Sequence, residues 1–186
     1  MKKLILASKS PRRREILSNA GFQFEIMESE REENNTVSPP EKLAVSNALI
    51  KAEDVFRRIE DKTSVVLGAD TVVALDGVVF GKPTDKADAE RMLRALSGKK
   101  HKVITGYALI TQSMRESGYA ETEVEFNDLS DEIIKDYVSS GLCFDKAGAY
   151  GIQDGYGLIK GYTGEYENVV GLPINTIAKT IEVFLK

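Results

Sequence analysis

The stretch from Leu4 to Arg13, LILASKSPRR, decides the fold class, because an apolar strand in it is followed at once by a helix start. The four consecutive apolar residues 4–7 are typical of a short strand that is buried on both faces. Ser10 can cap the following helix, and Pro11 suits its first turn. A buried strand that leads directly into a helix predicts an α/β protein.

Outside this stretch, strands and helices continue to alternate, and hairpin signals interrupt the parallel pattern. Apolar residues recur at helical spacing from 44 to 56, so this helix presents Lys51 beside its apolar face. Strand-like runs flank the Gly68-Ala69-Asp70-Thr71 motif, and Asp76-Gly77 between two apolar runs predicts a hairpin. We expect further strands at 101–112, 119–126 and 166–170, and further helices that begin near Asp85, Ser130 and Ile174. The chain is therefore predicted to have an α/β fold with a mixed sheet.

Length and composition exclude several classes of protein. The 186 residues are 42% hydrophobic and 29% charged, and a chain of this size can bury about 70% of its unfolded surface without a disulfide or a metal. A net charge of −4 is not that of a general nucleic-acid binder, and no apolar run approaches the ~18 residues of a membrane span. The single cysteine, Cys143, does not point to an oxidising compartment. We expect one domain over residues 1–186, in the cytoplasm, with no nucleic acid and no membrane as partner.

The first helix start combines several groups that bind anions. Six lysines and arginines precede the first acidic residue, Glu15. The N–H groups and the dipole of a helix start favour a phosphate, and Ser8, Ser10, Arg12 and Arg13 add hydroxyls and guanidiniums. The G-x-x-x-x-G-K-[ST] pattern of a P-loop is missing from the sequence. The stretch therefore indicates a phosphate site of another kind, and an exposed basic first turn is the alternative.

Carboxylates and lysines in other segments could complete such a site. Asp70 could activate water or hold a divalent cation, and the alternative is a turn-forming aspartate. The acidic stretch 28–33 offers ligands for a hard cation such as Mg²⁺, although most of its acids must be solvated. Lys51 and Lys82 come from two further segments, and each alone is more often a surface lysine. With His101 as the only histidine and no G-x-S-x-G motif, the inventory is that of a phosphate-handling hydrolase that uses metal and water.

Short motifs are spread in order over essentially the whole chain. They are LASKSPRR at 6–13, EE at 32–33, KA at 51–52, GADT at 68–71, GKP at 81–83, LSG at 96–98 with His101 after it, DKAGAYGIQ at 145–153 and VGLP at 170–173. Together they resemble the Maf family of nucleoside triphosphate pyrophosphatases. The resemblance implies a two-lobed α/β fold, related to the inosine triphosphate pyrophosphatases, with a cleft between the lobes.

The resemblance also implies an activity. The family splits a nucleoside triphosphate into the monophosphate and pyrophosphate with a divalent metal cation, Mg²⁺ or Mn²⁺. The AYGIQ version of residues 149–153 resembles the branch that acts on dTTP and UTP, not the branch that prefers 7-methyl-GTP. CTP or modified pyrimidine nucleotides stay open as further substrates, and a homodimer is compatible with the resemblance.

Single residues take implied roles from the same motifs. Asp70 matches the proton acceptor of the family. Substrate choice is tied to the positions of Arg13, Thr71 and Gln153. The expected phosphate-binding residues are Ser8, Ser10, Arg12, Arg13, Lys51 and Lys82, and the expected metal ligands are Glu33 and Asp70. One departure from the pattern is Asp154, where family members often have glycine.

Two other functions are weighed against hydrolysis of a nucleotide to pyrophosphate. The family name derives from an inhibitory effect on septum formation, so a nucleotide-binding regulator of cell division without catalysis is the main alternative. A phosphatase that acts on other phosphate compounds is the second, and it would release orthophosphate instead of pyrophosphate.

Overall fold

The computed structural model describes residues 2–33 and 36–186. The strands are β1 (Leu4–Ala7), β2 (Phe24–Ile26), β3 (Val65–Leu75), β4 (Val78–Phe80), β5 (Lys100–Ile110), β6 (Arg115–Phe126) and β7 (Ile159–Thr163). The helices are α1 (Pro11–Asn19), α2 (Pro40–Arg58), α3 (Lys86–Leu96), α4 (Asp131–Ser140), α5 (Tyr166–Val170) and α6 (Ile174–Leu185), with a 3₁₀ turn at Ala147–Ala149. None of the helices in these two ranges is long and apolar enough to cross a membrane.

One mixed sheet carries all seven strands, which confirms the predicted fold class. Its order is β2-β1-β3-β5-β6-β7, and β4 pairs with β3 off this path. β1 is parallel to β2 and β3, whereas β5, β6 and β7 follow as antiparallel neighbours. The predicted hairpin is present, because Leu75 pairs with Val78 across Asp76-Gly77, both of which have positive φ.

Helix α2 lies directly on the backbone of the central strands, because two glycines leave room for it. A Cβ atom at Gly68 on β3 would lie 2.2 Å from the carbonyl oxygen of Ala48. A Cβ atom at Gly106 on β5 would lie 2.3 Å from the carbonyl oxygen of Ala44. This close approach fixes the face of α2 that carries Lys51 against the middle of β3.

Buried apolar side chains form separate clusters toward the two ends of the sheet. One joins β1, β3, α1 and α6 through side chains such as Leu6, Leu67 and Ile177. Another joins α3, α4 and β6 through side chains such as Leu93 and Phe126. A cleft of about 830 Å³ is lined by residues from both sides of this division. The description of residues 1–186 as one domain with two lobes stays a prediction.

Two expectations about strands are wrong. Residues 65–75 form one continuous strand, so Asp70 lies in its middle and is not a turn residue. The whole length from Val66 to Ala74 pairs with β5, and this pairing carries the strand through the motif. Residues 166–170 form helix α5, because the buried amide of Asn168 donates to the carbonyl of Val103 and holds the segment on the face of the sheet. The strand lies earlier, at 159–163.

Candidate active site

The cleft brings together all the site residues that the sequence predicts. They come from the connection between β1 and α1, from the start of α1, from α2, from the middle of β3 and from three other loops. The residues that line it include Ser8, Ser10, Arg12, Arg13, Glu33, Lys51, Asp70, Thr71, Lys82 and Gln153. Convergent cations, carboxylates and hydroxyls in a concave site are what a charged small-molecule ligand requires.

Asp70 is buried at the wall of this cleft, and both of its carboxylate oxygens are held by α2. Lys51 Nζ donates to Oδ1 at 2.6 Å, and Asn47 Nδ2 donates to Oδ2 at 3.1 Å. The two donors are four residues apart, so they project from the same face of the helix. The orientation of the Asp70 carboxylate is therefore set by α2, which the glycines of β3 and β5 bring close.

Lys51 also binds a second carboxylate, that of Glu33, at 2.8 Å. Burial alone would raise the pKa of Glu33, but the charge and hydrogen bond of Lys51 outweigh it, with help from Lys82 and Arg13, and the pKa lies below its ordinary value. Glu33 is consequently ionised at neutral pH. One ammonium group thus lies between two carboxylates, those of Glu33 and Asp70.

This pair of carboxylates fits a divalent cation that also binds phosphate. Mg²⁺ commonly takes one or two carboxylates together with substrate phosphates and waters. Within residues 2–33 and 36–186, no group of three or more His, Cys, Asp or Glu side chains could hold a metal ion. Glu33 and Asp70 together supply the one or two carboxylates that such a cation takes when phosphate oxygens and waters complete its ligands.

Arg13 forms the floor of the cleft and is buried, which excludes the exposed basic first turn. Its Nε donates to the carbonyl of Gly171 at 2.7 Å, and its Nη1 and Nη2 donate to Ser8 Oγ and Thr71 Oγ1, each at 3.1 Å. Burial lowers the pKa of Arg13, and the nearby charge of Asp70 opposes this shift. A guanidinium nevertheless keeps its charge at neutral pH, so Arg13 is a fixed positive charge below the site.

The start of α1 has the expected cap. Ser10 Oγ accepts from the backbone N–H of Arg13, and Ser8 Oγ accepts from the backbone N–H of Ser10. Arg12 reaches across to the segment after α4, where Nη1 donates to Asp145 Oδ2 at 2.6 Å and Nη2 donates to the Asp145 carbonyl at 3.2 Å. Arg12 thereby connects the α1 side of the cleft with the side formed by the chain after α4.

Gln153 and Lys82 are exposed in the cleft and carry less structural constraint. Gln153 lies in the turn after the 3₁₀ helix, in which the N–H of Asp154 donates to the carbonyl of Gly151. Lys82 follows Gly81, whose carbonyl accepts from the N–H of Gly148 at 3.0 Å. Both side chains can therefore adjust to a ligand while their backbones are tied to the same loop.

Sequence reasoning missed several polar residues at the cleft. Asn47 was detectable, since a polar residue four positions before Lys51 lies on the same helix face. Asp145 and Lys146 were quoted only as part of a motif, and their contacts with Arg12 and Asp154 depend on tertiary structure.

Asp54 is a further residue that the sequence did not reveal. Its buried Oδ2 accepts from Ser29 Oγ, from the N–H of Glu30 and from Arg58 Nη1. Burial works to raise the pKa of Asp54, but these hydrogen bonds outweigh it and lower the pKa. The segment that leads to Glu33 is thereby tied to α2, one turn beyond Lys51.

Comparison with known proteins agrees with the motifs. The model of the Maf-like protein family matches residues 3–184. A dTTP/UTP pyrophosphatase of Thermococcus gammatolerans is 48% identical over 181 residues, covering 97% of this chain and 96% of that protein. A dTTP/UTP pyrophosphatase of Bacillus anthracis is 45% identical over 186 residues, covering 99% of this chain and 96% of that protein.

A more distant likeness is found among solved structures. A nucleoside-triphosphatase, described as a dITP/XTP pyrophosphatase, from Mycobacterium abscessus has a TM-score of 0.49 and 16% identity, covering 97% of this chain and 94% of that chain. Similarity at this level supports no conclusion about function. The family match over nearly all of the chain and the two full-length relatives lead to a plain assignment: this chain belongs to the Maf-like protein family.

Proposed function

We propose that this chain hydrolyses dTTP and UTP to the nucleoside monophosphate and pyrophosphate. The observation that carries the proposal is the position of Asp70, a buried carboxylate that α2 orients in a cleft lined by Arg12, Arg13, Lys51 and Lys82. The two similar proteins named dTTP/UTP pyrophosphatase support the choice of substrate.

In the proposed reaction, Asp70 is the proton acceptor. A water oxygen forms a bond to the α-phosphorus while the bond from that phosphorus to the α–β bridging oxygen breaks. The water proton passes to the Asp70 carboxylate, and the electron pair of the broken bond leaves on pyrophosphate. General base catalysis of this kind contributes about 10²- to 10⁴-fold to a rate.

The cations supply the binding energy for the phosphates. A triphosphate carries about four negative charges, and the four cations proposed to bind it come from three separate segments of the chain. Arg12 and Arg13 can each form forked hydrogen bonds with phosphate oxygens, whereas Lys51 and Lys82 act as point charges. Ser8 and Ser10 add hydroxyl donors beside the start of α1.

The carboxylates of Glu33 and Asp70 would hold a divalent cation, Mg²⁺ or Mn²⁺, together with phosphate oxygens. Such a cation, when bound, neutralises phosphate charge and favours the departure of pyrophosphate. Lys51 lies between the two carboxylates and would have to share them. The two carboxylates would be tolerated beside a triphosphate, because the positive charge of the cation would then lie between the carboxylates and the phosphates.

Gln153, with Arg13 and Thr71, is proposed to set substrate choice. A glutamine amide both donates and accepts, which matches the imide edge of uracil or thymine.

We further propose that residues 1–186 act as one domain with two lobes, in the cytoplasm, where nucleoside triphosphates are found.

The test is a product assay with dTTP, UTP, CTP, ITP and 7-methyl-GTP in the presence of Mg²⁺ or Mn²⁺. We expect pyrophosphate from dTTP and UTP, and a fall of about 10²- to 10⁴-fold in kcat for Asp70→Asn. Asp76→Asn, which makes the same change in the exposed turn after β3, is the matched control and should keep full activity. Orthophosphate as the product would indicate the phosphatase alternative, and binding without turnover would indicate the regulator of septum formation.

A further inference from the structure

The side chain of Asp154, the residue that follows Gln153 in the same turn, is buried. Its side chain is 8% exposed, and its Oδ2 accepts from the hydroxyl of Tyr137 at 2.7 Å. The same hydroxyl accepts from the N–H of Gly151 at 3.1 Å, and the N–H of Asp154 donates to the carbonyl of Gly151. The turn from 151 to 154 is thus closed by its own backbone and by a side chain of α4.

The packing at Gly151 shows how tightly this carboxylate fits. A Cβ atom at Gly151 would lie 2.6 Å from Asp154 Oδ2 and 2.8 Å from Lys146 Cε. Lys146 Nζ is 3.4 Å from Asp154 Oδ2, so the buried negative charge has a buried positive partner. A carboxylate with these contacts holds the backbone of the turn in one conformation.

We propose that Asp154 is a positioning residue that fixes Gln153 toward the base and thereby sets the preference for uracil and thymine over cytosine. The inference rests on the proposed function and deepens it. Gln153 can present its amide in either sense, and the imide edge of uracil or thymine and the amino edge of cytosine require opposite senses. The fixed backbone of the turn limits where this amide can meet the base, whereas a mobile turn would let it meet either edge.

The contacts of Lys146 indicate that the positioning role of Asp154 is independent of phosphate binding. Lys146 Nζ also donates to the carbonyl of Leu142 and to Asp145 Oδ1, and Asp145 binds Arg12. Loss of the Asp154 charge leaves these contacts in place. The turn that carries Gln153 should become more mobile, while the proposed phosphate-binding residues keep their positions.

Hydrogen exchange tests the positioning role without any turnover. Asp154→Asn and Tyr137→Phe should each speed exchange of the amide hydrogens of residues 151 and 154, because the first replaces the charged acceptor of the Tyr137 hydroxyl with a weaker neutral one and the second removes the hydroxyl. Asp136→Asn makes the same charge change on an exposed neighbour and should leave this exchange unchanged. Unchanged exchange in both test variants would overturn the positioning role, whether or not the protein hydrolyses nucleotides.

Steady-state kinetics then test specificity. The ratio of kcat/KM for dTTP to that for dCTP should fall about 2- to 13-fold in Tyr137→Phe, the factor expected for the loss of one ordinary hydrogen bond, and should fall in Asp154→Asn as well. The inhibition constant of inorganic tripolyphosphate should not change, whereas a general collapse of the cleft would change it as well. A wild-type ratio retained in a variant with faster exchange would overturn the link to specificity. Absence of dTTP turnover in the wild-type protein would instead refute the proposed function.

Discussion

Replacement of Gly68 by alanine should test whether the contact between α2 and β3 builds the active site. Gly68 lies two residues before Asp70, and its added Cβ atom would lie 2.2 Å from the Ala48 carbonyl oxygen and 2.9 Å from the Ala52 N. Ordinary contacts begin near 3.4 Å, so α2 and β3 would have to separate by about 1 Å. Both neighbours are backbone atoms, which cannot turn away as a flexible side chain would.

The separation should reduce both stability and activity. Overpacking of a core costs typically 1–3 kcal/mol, which for a chain of this size lowers Tm by roughly 2–12 °C. The hydrogen bonds of Lys51 and Asn47 to Asp70, at 2.6 and 3.1 Å, would lengthen with the movement. A misplacement of about 1 Å can reduce kcat/KM about 10²-fold.

Thermal unfolding followed by circular dichroism and pyrophosphate release from dTTP, measured well below Tm, would check the two effects. Gly161→Ala is the matched control, because nothing lies within 4 Å of a Cβ atom there and its φ is not positive. The reasoning would be refuted if Gly68→Ala kept the Tm and kcat/KM of this control. A lower Tm with full activity would refute only the part that concerns Asp70.

Three other predictions concern charge and protonation. Burial lowers the pKa of His101 to about 4. Between pH 6.5 and pH 4 the unfolded chain therefore binds a proton that the folded protein does not, and the free energy of unfolding falls as the pH falls. In His101→Gln, the fall in this free energy between pH 7 and pH 4.5 should be about 2–3 kcal/mol smaller, as urea unfolding at both pH values would measure. Asp54→Asn should lower the free energy of unfolding by about 1–3 kcal/mol, because three hydrogen bonds to a carboxylate oxygen become weaker. The same change should speed proteolysis of segment 29–33. An unchanged urea midpoint and an unchanged digestion rate would contradict this prediction. Glu33→Gln should raise the Mg²⁺ concentration needed for half-maximal activity, as a titration of activity with Mg²⁺ would show, and an unchanged titration curve would exclude Glu33 as a ligand.

Local features of the fold were predictable because neighbouring residues determine them. The cap of α1 by Ser10, the hairpin at Asp76-Gly77 and the face of α2 that bears Lys51 all follow from side-chain chemistry within one turn. The same local reasoning failed for 166–170, where apolar residues suggested a strand but the buried amide of Asn168 binds β5 and β6 instead. Tertiary contacts override local preference here, because the side-chain nitrogen of Asn168 finds both of its acceptors only in the packed protein.

Most of the residues that line the cleft with a proposed role were predictable, but the contacts between them were not. Motifs placed Arg12 and Lys51 in one cleft. Nothing in the sequence near Arg12 indicates that it binds Asp145. Nothing near Lys51 indicates that it binds both Glu33 and Asp70. Partners so far apart in sequence meet only through the order of strands in the sheet. Spacing along the chain carries no information about such pairs.

The ion pairs of Arg12 and Lys51 affect how much energy the binding of a substrate phosphate can gain. Arg12 pairs with Asp145, and Lys51 pairs with Glu33 and Asp70, so under the proposed function a triphosphate would compete with these carboxylates for the two cations. An exchange of ion-pair partners gains less energy than the filling of an empty basic site, because the attraction of each carboxylate is lost as the attraction of phosphate is gained. Under the proposed function, a phosphate that draws Lys51 away would leave Glu33, together with Asp70 and its remaining donor Asn47, able to bind the divalent cation that arrives with that phosphate.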